Sequence, residues 1–445
     1  MRFAIATLGC KVNQYDSAMI ESRLGALGME RAEFSELADV YIVNTCTITD
    51  RADTESLRLA RRARRLNPDA RVIMTGCLAQ ANPARLDNAS MVDAVVGLGR
   101  PGDLERAVRG EATERVMVAN LRKERAAIEL GTVALDGRTR AYLKLQEGCD
   151  QFCTFCIVPF SRGQSRSVEP RRVIEAIDGL HARGFREVIL TGVHLGGYGR
   201  DLDPPAVLED LLEMVAERSP IERVRLSSID PEELSDRVIG IVAASEKFCP
   251  HFHLPLQSGE DATLARMRRR YDTAHFRERV ERVVAAMPTA AIGTDLIAGF
   301  PGESPSQFDQ YFRFVESLPL AYFHVFPYSV RAGTTAAKFG ERVAPAEIKR
   351  RAAALRALGE RKRADFAARA AGSILKVLLE ERIEGRLRGY SRNYVRVAAD
   401  GPAELINSEV EVEASFVEGA QVVGQIIRRI IPAGGSLRGG AAVSA

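Results

Sequence analysis

Three times near its start the chain runs an apolar strand into a small-residue turn and a cysteine: FAIATLGC ending at Cys10, VYIVNTC ending at Cys46 and RVIMTGC ending at Cys77. The stretches between them carry helical patterning, one beginning near Ser17 and an arginine-rich one over residues 53–66, each long enough to cross back over a parallel sheet. Few folds accept that pattern, and residues 1–118 read as an N-terminal parallel α/β sheet domain. Strands of this kind end along one edge, where open α/β sheets bind ligands. Cys10, Cys46 and Cys77 are therefore expected to converge although they are far apart in sequence.

Residues 119–138 are charged, lack an apolar period and read as a linker. The alternation resumes over residues 139–371 with the strands AYLKLQEGC, EVILTGV, RVRLSSI, HFHLPLQS, AAIGTDLIAGF and AYFHVFPYS. Six strands separated by helices predict a partial (β/α)6 barrel with its active site at the strand C-termini. A helix rich in Ala, Arg and Lys, opened by Pro345 and closed by Gly372, ends this domain. Short β-type runs fill residues 372–432 and fit a small all-β barrel, while residues 433–445 read as a disordered tail. The predicted fold class is α/β with a C-terminal all-β domain.

At 46% hydrophobic and 27% charged residues, the 445-residue chain is not a disordered polypeptide and has room for roughly three domains. It has no apolar run of membrane-spanning length and no leader pattern, so a cytoplasmic protein with no membrane partner is expected. A formal charge of +3 is too small to argue for a nucleic-acid partner, which local clusters must carry. Seven cysteines in a reducing compartment point to metal binding or catalysis rather than disulfides.

The sharpest chemical signal is EGCDQFCTFC, which sets Cys149, Cys153 and Cys156 in a C-x3-C-x2-C array just after a predicted strand. Three thiolates on one loop suit three irons of a four-iron cluster, leaving the fourth iron open to a substrate. A closed structural zinc site wants a fourth Cys or His close by, and the next histidine is His181, beyond a predicted helix. Cys249, in KFCPHF, reads as an ordinary buried thiol.

The array, with Phe155 just before its last cysteine, resembles the signature of the radical S-adenosylmethionine (SAM) enzymes. In them the amino and carboxylate groups of SAM chelate the open iron, and one electron cleaves SAM to a 5′-deoxyadenosyl radical able to take hydrogen from an unactivated C–H bond. Over almost its whole length the chain is similar to the methylthiotransferases among them: TLGCKVNQYDS, NTCTIT and MTGC match their three-cysteine domain, and HLPLQSG, GTDLIAGFPGES and FPYSVRAGT match their core. The resemblance implies catalytic Cys149, Cys153 and Cys156 on one [4Fe-4S] cluster. It implies a second, auxiliary [4Fe-4S] cluster on Cys10, Cys46 and Cys77, and a C-terminal TRAM domain that binds RNA. Within the family GCKVNQ resembles the branch that places a methylthio group on C2 of N6-threonylcarbamoyladenosine at tRNA position 37, just 3′ of the anticodon. The isopentenyladenosine branch and the ribosomal-protein S12 branch differ after the first cysteine, and a non-catalytic iron-sulfur sensor that binds RNA is the reading from another class. An external electron donor of flavodoxin or ferredoxin type is implied as a partner, and the sulfur donor is left open.

For SAM itself, Gly192, Gly299, Gly302 and Glu303 end predicted strands where backbone approaches a ligand. Ser228 and Gln257 end two others, Arg331 could meet the SAM carboxylate, and Phe155 could flank its adenine. For tRNA, positive charge is needed. It clusters in LRLARRARRL from Leu57, RMRRRY from Arg266 and RIEGRLRGYSRNYVR from Arg382. The third interleaves Arg382, Arg386, Arg388, Arg392 and Arg396 with Tyr390 and Tyr394, the mixture expected where bases stack beside a charged groove.

Overall fold

The computed structural model describes residues 1–123, 128, 130 and 139–431, so most of the expected linker and the whole expected tail lie outside the described residues. Apolar residues on both faces of the first strands demand a sheet covered on both sides. The strands β1 (Arg2–Thr7), β2 (Glu30–Ala32), β3 (Val40–Thr45), β4 (Arg71–Gly76), β5 (Ala94–Val96) and β6 (Val116–Met117) form that sheet, all parallel, in the order β2-β1-β3-β4-β5-β6. The helix Asp50–Leu66 crosses between β3 and β4; Thr49 caps it by accepting from the Ala52 N–H, and Ser56, Ala60 and Ala63 on its inner face let it pack closely. The three short strands β2, β5 and β6 were not expected from sequence, being too brief to show an alternation.

The second unit holds β7 (Arg140–Glu147), a short antiparallel β8 (Arg166–Ser167), β9 (Glu187–Gly192), β10 (Arg223–Leu226), β11 (His251–His253), β12 (Ala291–Ala298) and β13 (Tyr322–Pro327). The parallel runs β7-β9-β10 and β11-β12-β13 are joined by single bridges, Val224 to Phe248 and Ser228 to His253. The result is a six-strand partial barrel in the expected order. The strand expected over HFHLPLQS stops after three residues, because Pro255 has no N–H to give and Gln257 turns to a φ of +68°. The helix Pro345–Ala368 follows and packs against β13.

The C-terminal strands β14 (Ile374–Ile383), β15 (Arg386–Ser391), β16 (Arg396–Asp400), β17 (Glu409–Glu418) and β18 (Gln421–Ile431) close a barrel in the order β14-β15-β16-β18-β17, TRAM-like in form. Buried charge fastens it to the N-terminal end of the larger barrel. Glu187 on β9 accepts from Arg223 Nε and Arg225 Nε, each at 2.8 Å, and Arg223 Nη1 reaches Glu409 of β17 at 2.5 Å. His251 is buried in this seam, 2.8 Å from the Tyr322 hydroxyl and with its ring centroid 4.5 Å from that of Tyr394. Burial, helped by Arg225, pushes its pKa well below the usual histidine range. The stability this gives is present above the unfolded pKa of about 6.5 and lost as pH falls below it, at about 1.4 kcal/mol per unit. Urea midpoints of His251→Phe measured from pH 7.5 down to 5.5 are expected to fall less steeply than those of the native chain; equal slopes would refute the assignment.

Candidate active site

The first cysteine triad is built by turns at strand ends. Cys10 caps the helix Lys11–Ala26, Cys46 follows β3 and Cys77 follows β4, and the three thiols lie within one another's electrostatic reach. Gly76 sits at φ +90°, and a Cβ there would stand 2.6 Å from both the backbone N and O of Thr45. A Cβ at Gly9 would meet the Cys46 Sγ at 3.1 Å. Only glycine lets these strand ends approach closely enough to bring the thiols together.

Cys46 and Cys77 are buried and Cys10 is exposed. Burial, with Cys77 beside it, pushes the Cys46 thiol up to about 12, and burial raises Cys77 as well. Two buried thiols of this kind become thiolates only around a cationic centre, and with Cys10 beside them the donor set fits an iron-sulfur cluster with one iron left free of protein. Gly76→Ala is expected to displace Cys77 and remove about half of the bound iron. Iron analysis and visible absorption of anaerobically reconstituted protein check this, and full iron content would refute it.

Cys149, Cys153 and Cys156 lie on the loop after β7, held from three sides. Cys149 donates its N–H to Gly163 O at 3.0 Å, Thr154 donates to Met267 O at 3.0 Å, and the Thr154 carbonyl accepts from Ala336 N at 2.8 Å. Arg269 donates to Cys153 Sγ at 3.2 Å and to Asp230 at 2.5 Å. Burial raises Cys149 to about 12 and Cys156 further still, the same demand for a cationic centre.

Beside these thiols opens a cavity of about 320 Å³, large enough for a small-molecule cofactor. Its wall takes Phe155, Ser228, Gln257 and Arg331 from the expected SAM contacts, adds His194, Asp230 and Asp295, and includes Ile48 and Thr49 of the N-terminal sheet domain. Two domains therefore wall one chamber, which no motif announced.

The other expected contacts stand outside that wall. Gly192 packs on Gln146. Glu303 is buried, accepting from Gly299 N at 3.1 Å and from Arg351 at 2.6 Å, and Gly302 lies on the same turn at φ +79°. These residues clamp the end of β12 to the helix Pro345–Ala368. Arg331 lines the chamber, yet the carboxylates it meets are this chain's own: Asp53 at 2.8 Å, and Asp50. Sequence reasoning missed His194, whose Nε2 lies 2.8 Å from Glu233 and 3.1 Å from Gln151 Nε2; the His in GVHLGG was its only trace.

Between the two triads runs a buried ionic network that sequence reasoning also missed. Arg162, 3% exposed, donates Nε to Cys77 Sγ at 3.2 Å and Nη1 to Asp16 at 2.6 Å and Glu147 at 3.2 Å, and also bonds Asn13. Lys144 joins Asp16 at 2.7 Å and Glu147 at 2.5 Å. The Asn and Asp of KVNQYDS and the Glu of QEGC are thus held together across the domain seam by Arg162 and Lys144.

The RNA contacts expected on the C-terminal barrel are redistributed. Arg392 is spent on Glu409 at 2.7 and 2.8 Å and on the Glu246 carbonyl, and Tyr394 packs between His251, Tyr322 and Tyr390 under the Arg225 guanidinium. Both face the larger barrel, because its buried arginines need partners more than the surface needs bases. Tyr390 stacks on Tyr394 at 4.9 Å, Arg388 pairs with Glu384 at 2.9 Å, and Arg386 lies 3.6 Å from Glu418. Arg382 and Arg396 remain exposed.

Residues 2–97 match the family described as "Uncharacterized protein family UPF0004", and residues 143–315 match the Radical SAM superfamily. A radical SAM methyltransferase, TsrM, from Kitasatospora setae shares the fold with a TM-score of 0.53 over 73% of this chain and 72% of that one, at 14% identity. Fold and thiol array together define a radical SAM protein. Two proteins named threonylcarbamoyladenosine tRNA methylthiotransferase MtaB are nearer in sequence. The Bacillus subtilis one is 38% identical, covering 92% of this chain and 93% of its own, and the Aquifex aeolicus one is 36% identical, covering 91% and 98%. A tRNA-2-methylthio-N(6)-dimethylallyladenosine synthase of Desulfitobacterium hafniense is 33% identical, covering 91% and 92%. The chain belongs to the radical SAM methylthiotransferase family, whose cofactors are two [4Fe-4S] clusters and SAM. Among the described residues no helix is long and apolar enough to cross a membrane.

Proposed function

We propose that this chain is the tRNA methylthiotransferase that converts N6-threonylcarbamoyladenosine, 3′ of the anticodon, to its 2-methylthio form. The observation that carries the reading is one chamber walled by the C-x3-C-x2-C loop and, from the other domain, by Ile48 and Thr49 just after Cys46. The threonylcarbamoyl relatives, at 36–38% identity over nine-tenths of the chain, favour that substrate. Cys149, Cys153 and Cys156 would hold the cluster that binds SAM, and Cys10, Cys46 and Cys77 the auxiliary one. When bound, the first cluster would give SAM the single electron that cleaves it to a 5′-deoxyadenosyl radical, and the second would carry the sulfur that becomes methylated, its donor left open.

The chain's own part is positional. Arg269 and Arg162 each donate to one cysteine of a triad, and Phe155 offers an apolar face to an adenine ring in the chamber that both domains wall. The working units are residues 1–118, 139–371 and 372–432, acting in the cytoplasm with a flavodoxin- or ferredoxin-type donor.

Mass spectrometry of tRNA nucleosides from cells lacking and regaining this gene tests the reading. Loss and return of 2-methylthio-N6-threonylcarbamoyladenosine is the expected result. Loss of the methylthio-dimethylallyl nucleoside instead would move the substrate to that of the Desulfitobacterium relative, and no change in any nucleoside would overturn the tRNA reading.

A further inference from the structure

We propose that the exposed face of the helix Asp50–Leu66 is a docking surface for the phosphates of the tRNA, an inference that rests on the tRNA reading above. The helix starts in the chamber wall: Thr49 lines the cavity and caps the first turn. At 1.5 Å per residue, Arg61 to Arg65 stand roughly 18 to 24 Å further along its axis. A strand leaving the chamber mouth therefore has this helix beside it.

Asp50 and Asp53 pair with Arg331, Arg51 is exposed in the first turn near Glu55, and the charges beyond that turn divide in two. Arg58 is paired with Glu55 at 2.5 Å, and Arg64 with Asp93 at 2.6 Å. Arg61, Arg62 and Arg65 are exposed and make no ion pair or hydrogen bond with any described residue. Ser56, Ala60 and Ala63 bury the opposite face against the sheet, so the three guanidinium groups point away from the body of the protein. On the C-terminal barrel, by contrast, Arg388, Arg392 and Arg428 are each held by a glutamate within 2.9 Å. Unneutralised positive charge close to the chamber lies on this helix and on the loop carrying Arg268 and Arg270, while Arg382, Arg396 and Arg429 are the exposed arginines without an ion pair on the C-terminal barrel. Among the described residues, the helix alone sets three such groups on one face. Arginine forks fit phosphate oxygens, and each phosphate neutralised releases counterion to the bulk. Stabilising the helix C-terminus through its dipole would account for Arg65 alone, within the last turn, and leaves Arg61 and Arg62 without a role.

The test measures tRNA binding by the full-length, anaerobically reconstituted enzyme against potassium chloride concentration, using tRNA isolated from cells that lack this gene. The combined Arg61→Gln, Arg62→Gln, Arg65→Gln variant is expected to bind about 10- to 100-fold more weakly, with the slope of log affinity against log salt reduced by about 2 to 3. Its KM for tRNA should rise with kcat held, at native iron content, and the matching triple lysine variant should restore the salt slope. Native affinity and slope in the glutamine variant would overturn the docking surface while leaving the enzyme reading untouched. A native enzyme that binds no tRNA in the same assay would overturn the tRNA reading itself, and the surface with it.

Discussion

Cys153→Ala is expected to abolish the reductive cleavage of SAM to 5′-deoxyadenosine and, with it, all methylthio product. Cys153 is the middle thiol of the loop array and the one that accepts from Arg269 at 3.2 Å. Its loss leaves two thiolates, too few to hold three irons, and a guanidinium with only Asp230 to satisfy it. Cys46→Ala removes a thiol from the other domain, where the loop at residues 149–156 does not depend on it. That variant is expected to keep SAM cleavage and lose sulfur insertion. Anaerobic assays with a chemical reductant, reading 5′-deoxyadenosine and modified nucleoside by chromatography, separate the two. Substantial cleavage by Cys153→Ala, or normal product from Cys46→Ala, would reverse the assignment of the triads.

The second large effect is on stability. Glu187 is fully buried between Arg223 and Arg225; burial alone would raise its pKa, but the two arginines hold the carboxyl far below the usual carboxylate range. Glu187→Ala strands two buried cations, and removing one partner from a buried ionic cluster costs about 3–5 kcal/mol. Thermal unfolding should begin markedly lower, with early proteolysis in the C-terminal barrel, because Arg223 also carries the bond to Glu409. The contribution is present above a pH of about 4.5 and lost as pH falls towards the depressed pKa, so the difference between variant and native chains should shrink in acid. A variant as stable as the native chain at neutral pH would show that the cluster does not fasten the two barrels.

The parts that could be read from sequence were those written in local pattern. The strand-turn-cysteine repeat led to three converging thiols, because strand order and crossover handedness leave such residues on one edge. The loop array placed itself, since all three cysteines share one turn. Long-range pairing was hidden. Nothing around Arg162 says that it will reach Cys77 and Asp16, which lie some 85 and 146 residues away. Within the Arg/Tyr run from Arg382, Arg392 and Tyr394 turn into the seam, which sequence could not show: exposed and seam-facing aromatics look alike in one dimension, and Tyr394 packs on His251 and Arg225. Glycines at strand ends were ambiguous between cofactor contact and tight packing, and at Gly192 and Gly299 packing took them.

The seam between the sheet domain and the larger barrel also bears on how such a chain can be inherited. Asn13, Asp16, Asp50 and Asp53 come from one side, and Lys144, Glu147, Arg162 and Arg331 from the other. Each is buried or half-buried against an opposite charge that the other domain supplies, save the exposed Asp50, the uncharged Asn13 and Glu147, whose partners Lys144 and Arg162 belong to its own domain. A sheet domain grafted from a distant homologue would bring foreign carboxylates to these arginines and leave ions stranded in a dry interface. The two halves are therefore constrained to pass through lineages as a matched set, and recombination between them succeeds only where both sides of the seam travel together.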